Sequence, residues 1–351
     1  CRALSNIKDV TLYLYSPSPI NNAVSGLESV TIRTHSWNNG LLRQLWSESY
    51  LPLWAKEDEI DVFWGPSHRL PRFLSSRIAR VVTIHDLVWK LAKETMHPAT
   101  YFLEKIQMPV AVRKADLIVA DTYSTRDAVI TEFDVKPQNI SVIPLAASNI
   151  QNIPSFDFLE KYDIDGLYFL FVSTLEPRKN LTRLLQAYDS LPLSIKGKMK
   201  LVIVGGKGWG EVNLLDTITQ LDLIECVKVL GRVDDTVLAT LYANAQFLVM
   251  PSLYEGFGLP LVEAMSYGTP VLTANNSSMP EVAGNAGLLV DALDVESIAD
   301  GLQEMITNNE LRERLAKNAK LNASRFSWDN SAQKLIKVFE KAIDLRKDKL
   351  S

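Results

Sequence analysis

Cysteine is almost missing from this 351-residue chain, Cys1 and Cys226 being the only two. Two cysteines build neither a disulfide framework nor a thiolate metal cluster, and their scarcity suits a reducing cytoplasm, the compartment expected here. Histidine is nearly as scarce: His35, His68, His85 and His97 all fall in the first hundred residues, and none has a metal-ligand spacing. Long apolar runs are absent too. Strand-like stretches such as LYFLFV at 167–172 fall far short of the roughly 18 residues that suggest a membrane span, so the chain is expected to be soluble or at most peripheral. A net charge of −4 gives no global attraction for nucleic acid. The opening CRALSNIKDVTLYLYSP carries no initiator Met and lacks the charged-then-apolar layout of a signal peptide. No tandem repeat or low-complexity tract interrupts the chain.

What remains is an ordinary globular composition, 47% hydrophobic and 22% charged. The length allows two domains of about 100–200 residues each. In the first half, TLYLY at 11–15, IDVFWG at 60–65, RVVTIHD at 80–86 and ADLIVADT at 115–122 read as buried parallel strands ending in polar or glycine residues. SVIPLAAS at 141–148 closes that half. Residues 150–165, with Pro154 and an irregular polar pattern, form the expected linker. The alternation of strands and helices then restarts with LYFLFVST, predicting a second doubly wound sheet. FSWDNSAQKLIKVFEKAIDL near the C-terminus has an amphipathic helical period.

The densest chemistry lies in PSLYEGFGLPLVEAMSYGTPV at 251–271. Gly256 and Gly258 flank Phe257 and permit a turn whose backbone can approach a ligand. Pro260 suits a helix start and Gly268 a helix stop. A helix start after such a turn offers donors and a positive dipole end to a diphosphate. Glu255 and Glu263, eight residues apart, can accept ligand hydroxyls from different sides. Arg178 and Lys179, in EPRKN at the start of another predicted helix, are placed against the helix dipole, which argues for a compensating ligand anion. A solvated loop pair is the plainer alternative. A pair of carboxylates also suits a glycosidase, but that reaction needs them on opposite sides of one bond, and here both belong to one element.

EGFGLPLVEA followed by GTPVL resembles the donor-binding signature of glycosyltransferase family 4. STLEPRKNLTRLLQAY at 173–188 and VKVLGRVDDTVLATLYANAQFLVMPS at 227–252 are similar to the segments that precede it, and the match runs over roughly residues 80–345. The resemblance implies an α/β protein of the GT-B type, with two facing Rossmann-like domains, each a parallel sheet flanked by helices, and an active site in the cleft between them. The implied division is residues 1–152 on the acceptor side, 153–325 as the nucleotide-sugar domain, and 326–351 as a helix returning to the first domain. The first domain would lack an opening strand and Gly-rich loop.

The resemblance also assigns roles. Lys179, with Arg178, would hold the pyrophosphate; Many relatives carry a second cation where this chain has Ser173 and Thr174. Glu255 would meet the transferred sugar and Glu263 the ribose. Gly231 and Val233 would line the base pocket, and Gly256, Phe257, Gly258 and Leu259 would complete the donor site. His85 would reach the sugar from the first domain. The implied activity is retaining transfer from a nucleotide sugar, with no cofactor or metal. TLEPRKN and TIHDLVW are most similar to bacterial mannosyltransferases of surface polysaccharide synthesis, which use GDP-mannose on a glycan or lipid-linked oligosaccharide acceptor. A non-hydrolysing UDP-sugar epimerase and a non-catalytic sugar-nucleotide-binding protein are the rival readings.

Three further features have plainer explanations. VGGKGWG at 204–210 lacks the ending of a phosphate loop and reads as a turn approaching the nucleotide. Trp37, Trp46, Trp54, Trp64 and Trp89 are mostly core residues, one or two of them available to stack on an acceptor sugar. Arg69, Arg72, Arg77 and Arg80, interleaved with Leu70, Phe73, Leu74 and Ile78, form a solvated basic face or a contact with anionic lipid.

Overall fold

The computed structural model describes the chain except residues 21–25, 28, 38, 149–154, 211–213 and 351. The expected boundary at 152/153 lies outside the described residues. Four parallel strands, adjacent in chain order, form the main sheet of the first domain. Two strands precede them, β1 (Leu12–Ser16) and β2 (Val30–Thr34), and pair with each other in parallel. The sheet itself consists of β3 (Val62–Gly65), β4 (Ala79–Ile84), β5 (Leu117–Ala120) and β6 (Ile140–Val142). Every residue of β5 is buried, as expected for a strand covered on both faces.

The second domain holds a six-stranded parallel sheet built from β7 (Tyr168–Val172), β8 (Lys200–Val204), β9 (Val227–Gly231), β10 (Leu248–Met250), β11 (Val271–Ala274) and β12 (Gly287–Val290). Its order is β12-β11-β10-β7-β8-β9. From β7 the chain steps outward to β9, then returns to the centre at β10 and steps outward the other way. The reversal point lies between β7 and β10, and ligands of open α/β sheets bind beyond the strand ends at such a point. Residues 173–180 follow β7 and residues 251–258 follow β10, so two segments far apart in sequence leave the sheet side by side.

Amphipathic helices cover the sheet. In Leu181–Ser190, Leu181, Leu184, Leu185 and Tyr188 are buried, an i, i+3, i+4, i+7 stripe. Trp328–Asp348 packs instead on the first domain, where Leu335, Val338 and Phe339 join Val81, Leu117 and Val119 in one cluster. Arg346 and Lys349 from its C-terminal end both pair with the buried Asp116.

Candidate active site

The two segments that leave β7 and β10 carry the charged centre. Residues Pro177–Lys179 form a 3-10 turn, and Asn180 follows in the left-handed region at φ 61° before the helix Leu181–Ser190 begins. Asn180 is buried, and its Nδ2 donates to the carbonyls of Pro251 (2.9 Å) and Ala292 (2.6 Å), fastening this turn to the segments that follow β10 and β12. Arg178 Nη1 then lies 2.6 Å from Glu255 Oε2, and Lys179 Nζ lies 2.6 Å from Glu255 Oε1. Arg178 also donates to the Tyr254 carbonyl at 2.9 Å. Burial works to raise the Glu255 carboxyl, but Lys179 and Arg178 outweigh it and hold it below the ordinary range. In this structure the anion that compensates the two cations is therefore Glu255 of the protein itself.

The glycine turn has two different causes. Gly258 sits at φ 93° and is the N-cap of the helix Leu259–Ser266, where Pro260 falls in the first turn. Gly256 is not in the left-handed region. A Cβ there would lie 2.0 Å from the His85 carbonyl oxygen, so glycine is required because the other domain approaches so closely. The loop after β11 fixes the turn from behind: Ser277 Oγ accepts the Glu255 N–H at 3.0 Å, and Ser278 Oγ lies 2.9 Å from the Glu255 carbonyl oxygen, to which it donates.

His85 closes the site from the first domain. Its Nε2 is 2.7 Å from the Pro66 carbonyl, which only accepts, so Nε2 carries a proton; Nδ1 is 2.7 Å from Asp121 Oδ2. Burial works to lower the His85 value, and the Asp121 carboxylate outweighs it, raising it above the ordinary value. Asp121 is itself shifted upward by burial, and its Oδ1 is buried without a hydrogen-bond partner among the described residues. His68 stands behind: its Nε2 accepts the His85 backbone N–H at 3.0 Å and its Nδ1 lies 3.1 Å from Glu104 Oε2.

A cavity of about 240 Å³ lies between these groups, lined from the first domain by His85, Asp86 and Asp121 and from the second by Arg178, Lys179, Glu255 and residues 256–260. The positive end of the helix Leu259–Ser266 faces it. A more open depression of about 480 Å³ beside β12 is lined by Asp294, Glu296, Asp300 and Glu304, a charge that repels phosphate.

The description "Glycosyltransferase Family 4" belongs to a family model that matches residues 1–147, and "Glycosyl transferases group 1" to one that matches residues 157–322. O-antigen chain mannosyltransferase B of Escherichia coli is 34% identical over 295 residues, covering 82% of this chain and 76% of that protein. The chain belongs to glycosyltransferase family 4. The serotype-specific mannosyltransferase WbdA of Escherichia coli is 27% identical over 75% of this chain, which spans only 33% of that longer protein. Among solved structures, WaaG, a glycosyltransferase involved in lipopolysaccharide biosynthesis, matches with TM-score 0.73 and 18% identity over 98% of this chain and 94% of its own. HepE from Anabaena in complex with UDP and glucose matches with TM-score 0.70 and 21% identity over 89% of this chain and 86% of its own. These two likenesses show the GT-B fold.

Within this family 4 glycosyltransferase, His85, Arg178, Lys179, Glu255, Gly256, Phe257, Gly258 and Leu259 meet at one cavity. Glu263, Gly231 and Val233 do not line it. Glu263 accepts from the Tyr242 hydroxyl at 2.7 Å, and burial raises its carboxyl. Gly231 adopts φ 68° at the end of β9, and Val233 packs against the core. The VGGKGWG turn packs on the segment after β7: a Cβ at Gly205 would lie 1.7 Å from the Ser173 carbonyl oxygen and one at Gly208 2.3 Å from that of Leu175. Sequence reasoning missed Asp121 and Asn180. Asp121 leaves only the trace of a polar residue at a strand end, and Asn180 that of an Asn ahead of a predicted helix.

The tryptophans are chiefly structural. Trp37, Trp46 and Trp54 join His35 and Tyr50 in one aromatic cluster, Trp64 packs on Phe339, and Trp89 is buried. The basic stretch divides: Arg72 and Arg77 are exposed, whereas Arg80 is half-buried and donates to the Leu74 carbonyl at 2.8 Å.

Proposed function

We propose that this glycosyltransferase transfers mannose from GDP-mannose to a glycan or lipid-linked oligosaccharide and keeps the α configuration. The observation that carries this reading is the pair of cations, Arg178 and Lys179, converging with a helix start on a cavity closed by His85. A departing nucleoside diphosphate gathers negative charge, and Lys179, Arg178 and the positive end of the Leu259–Ser266 helix stabilise that charge as it develops. The reading asks for no divalent metal. Glu255 accepts sugar hydroxyls and offsets oxocarbenium charge. His85 positions the sugar, Glu263 takes the ribose, and Gly231 and Val233 border the base. Acceptor attack proceeds on the face the diphosphate leaves, and a phosphate oxygen takes the acceptor's proton. The names of the mannosyltransferase relatives support the choice of sugar.

Peripheral contact with an anionic membrane face belongs to the same reading. Phe73 is exposed next to Arg72 in the chain, and Phe102 and Ile106 are exposed on the same helix as the exposed Lys105. Among the described residues no helix is long and apolar enough to cross a membrane.

Thermal shift with GDP, GDP-mannose, UDP and UDP-sugars, with and without EDTA, tests the donor. GDP and GDP-mannose at about 100 Kd should each stabilise the protein by about 2.7 kcal/mol. A response to UDP-sugars alone removes the mannosyl assignment, and loss of binding in EDTA removes the metal-free site. The anomeric configuration of the transferred sugar, read by NMR, decides retention.

A further inference from the structure

The two domains touch through groups that the proposed donor chemistry does not use. The helix Tyr123–Phe133 of the first domain starts against the second domain, and a helix start leaves unpaired N–H groups. Thr122 Oγ1 accepts the Thr125 N–H at 3.1 Å, and the Arg126 N–H bonds to the Thr122 carbonyl at 3.0 Å. The first two N–H groups, of Tyr123 and Ser124, are taken by Glu281 of the second domain, through Oε1 at 3.0 Å and Oε2 at 3.2 Å. A carboxylate at a helix N-terminus makes charge-assisted bonds and meets the positive end of the dipole. Beside this cap, Thr122 donates to the Gly256 carbonyl at 3.0 Å and Thr125 to the His85 carbonyl at 3.2 Å. Each hydroxyl has one proton, so the pair stitches the strand end that bears His85 to the turn that bears Glu255.

We propose that Glu281 is a positioning residue whose carboxylate latches the second domain onto the helix Tyr123–Phe133 and so sets His85 against the Gly256 turn. It touches neither the cavity nor the charged centre. The proposal rests on the donor reading of the cavity only for its activity readout. It predicts separable effects: contacts to a diphosphate come from one domain, whereas transfer needs both domains in register.

Two variants test it. Glu281→Ala removes the carboxylate. Tyr123→Pro removes one of its donors at the first helical position, where proline is well tolerated, and the preceding Thr122 is already extended at φ −141°, ψ 162°. Each variant should keep GDP affinity within about twofold while kcat for transfer falls at least about tenfold, equivalent to about 1.4 kcal/mol. The radius of gyration of the ligand-free protein, from small-angle X-ray scattering, should rise in both. The double variant should be no worse than the more damaging single one, because both break the same contact. An unchanged radius with unchanged kcat overturns the latch, as do additive losses or a fall in GDP affinity equal to the fall in transfer. If the wild-type protein binds no nucleoside diphosphate, the donor reading falls, and the scattering comparison still decides the latch.

Discussion

Replacing Glu255 by Gln is the sharpest perturbation of the charged centre, because it removes one charge and little shape. Glu255 is 7% exposed, and its two oxygens each lie 2.6 Å from a cation, Arg178 on one side and Lys179 on the other. Without the carboxylate, the largely buried Lys179 loses its counter-ion and Arg178 keeps only the looser pairing with Glu176 at 3.8 Å. Removing one partner of a buried ion pair typically costs about 3–5 kcal/mol. At about 2–4 °C per kcal/mol for a domain of this size, the Glu255→Gln variant should melt about 6–20 °C lower. A nucleoside diphosphate brings back the missing charge. GDP should therefore raise the melting temperature of the variant more than that of the wild type, and bind the variant at least as tightly, since no protein carboxylate competes for Arg178 and Lys179.

Transfer should move the other way, falling about 10²–10³-fold, the usual effect of losing one preorganised electrostatic group. Scanning fluorimetry with and without GDP, followed by a transfer assay, reads both effects. An unchanged melting temperature together with a wild-type GDP response would refute the placement of Glu255 as counter-ion. Lost GDP affinity with retained transfer would show that its role lies with the nucleotide and not with the sugar.

Two further outcomes follow from the contact between domains. Gly256→Ala puts a methyl group 2.0 Å from the His85 carbonyl oxygen and 2.8 Å from Asp86 Cβ. Displacement of about 1 Å at a reacting centre can cost about 10²-fold, so transfer should fall by that order while GDP binding, measured by calorimetry, persists; normal transfer would sink the argument. His85 carries a raised value, its burial outweighed by Asp121. A raised folded-state value means stability fully present below the unfolded value of about 6.5 and lost as pH climbs through the folded value. The melting temperature of the wild type should therefore decline above about pH 6.5 by an amount absent from His85→Gln, and parallel profiles would contradict the His85–Asp121 pairing.

The second-domain strands were legible because their apolar runs are short, continuous and punctuated, as in LYFLFVST for β7 and VKVLG for β9. β2 was not: VTIRT has no fully buried residue, and its pairing with β1 leaves no signature in so short and half-exposed a run. Arg178, Lys179 and Glu255 were each legible as candidate site residues, but their mutual contact was not. It depends on β7 and β10 being neighbours in the sheet, and 76 residues separate Lys179 from Glu255. Gly256 was read as a flexible turn residue, whereas its need for hydrogen in place of Cβ comes from a carbonyl of the other domain. His85 was placed at a strand end, yet its proton state is set by Asp121 and Pro66, one strand and one loop away.

The cations beside a helix start were expected to find their anion in a ligand, whereas the protein supplies one of its own. Glu255 occupies that role in this structure, and this changes what the proposed donor binding must do. On the proposed donor reading a diphosphate competes with Glu255 for Arg178 and Lys179, and any cation it draws away leaves carboxylate oxygens open to the hydroxyls of the sugar that arrives with it. Free diphosphate offers the exchanged carboxylate no such hydroxyls, whereas a sugar nucleotide does. On this exchange, the sugar contributes to binding through Glu255, and the preference for sugar nucleotide over free diphosphate should shrink in the Glu255→Gln variant.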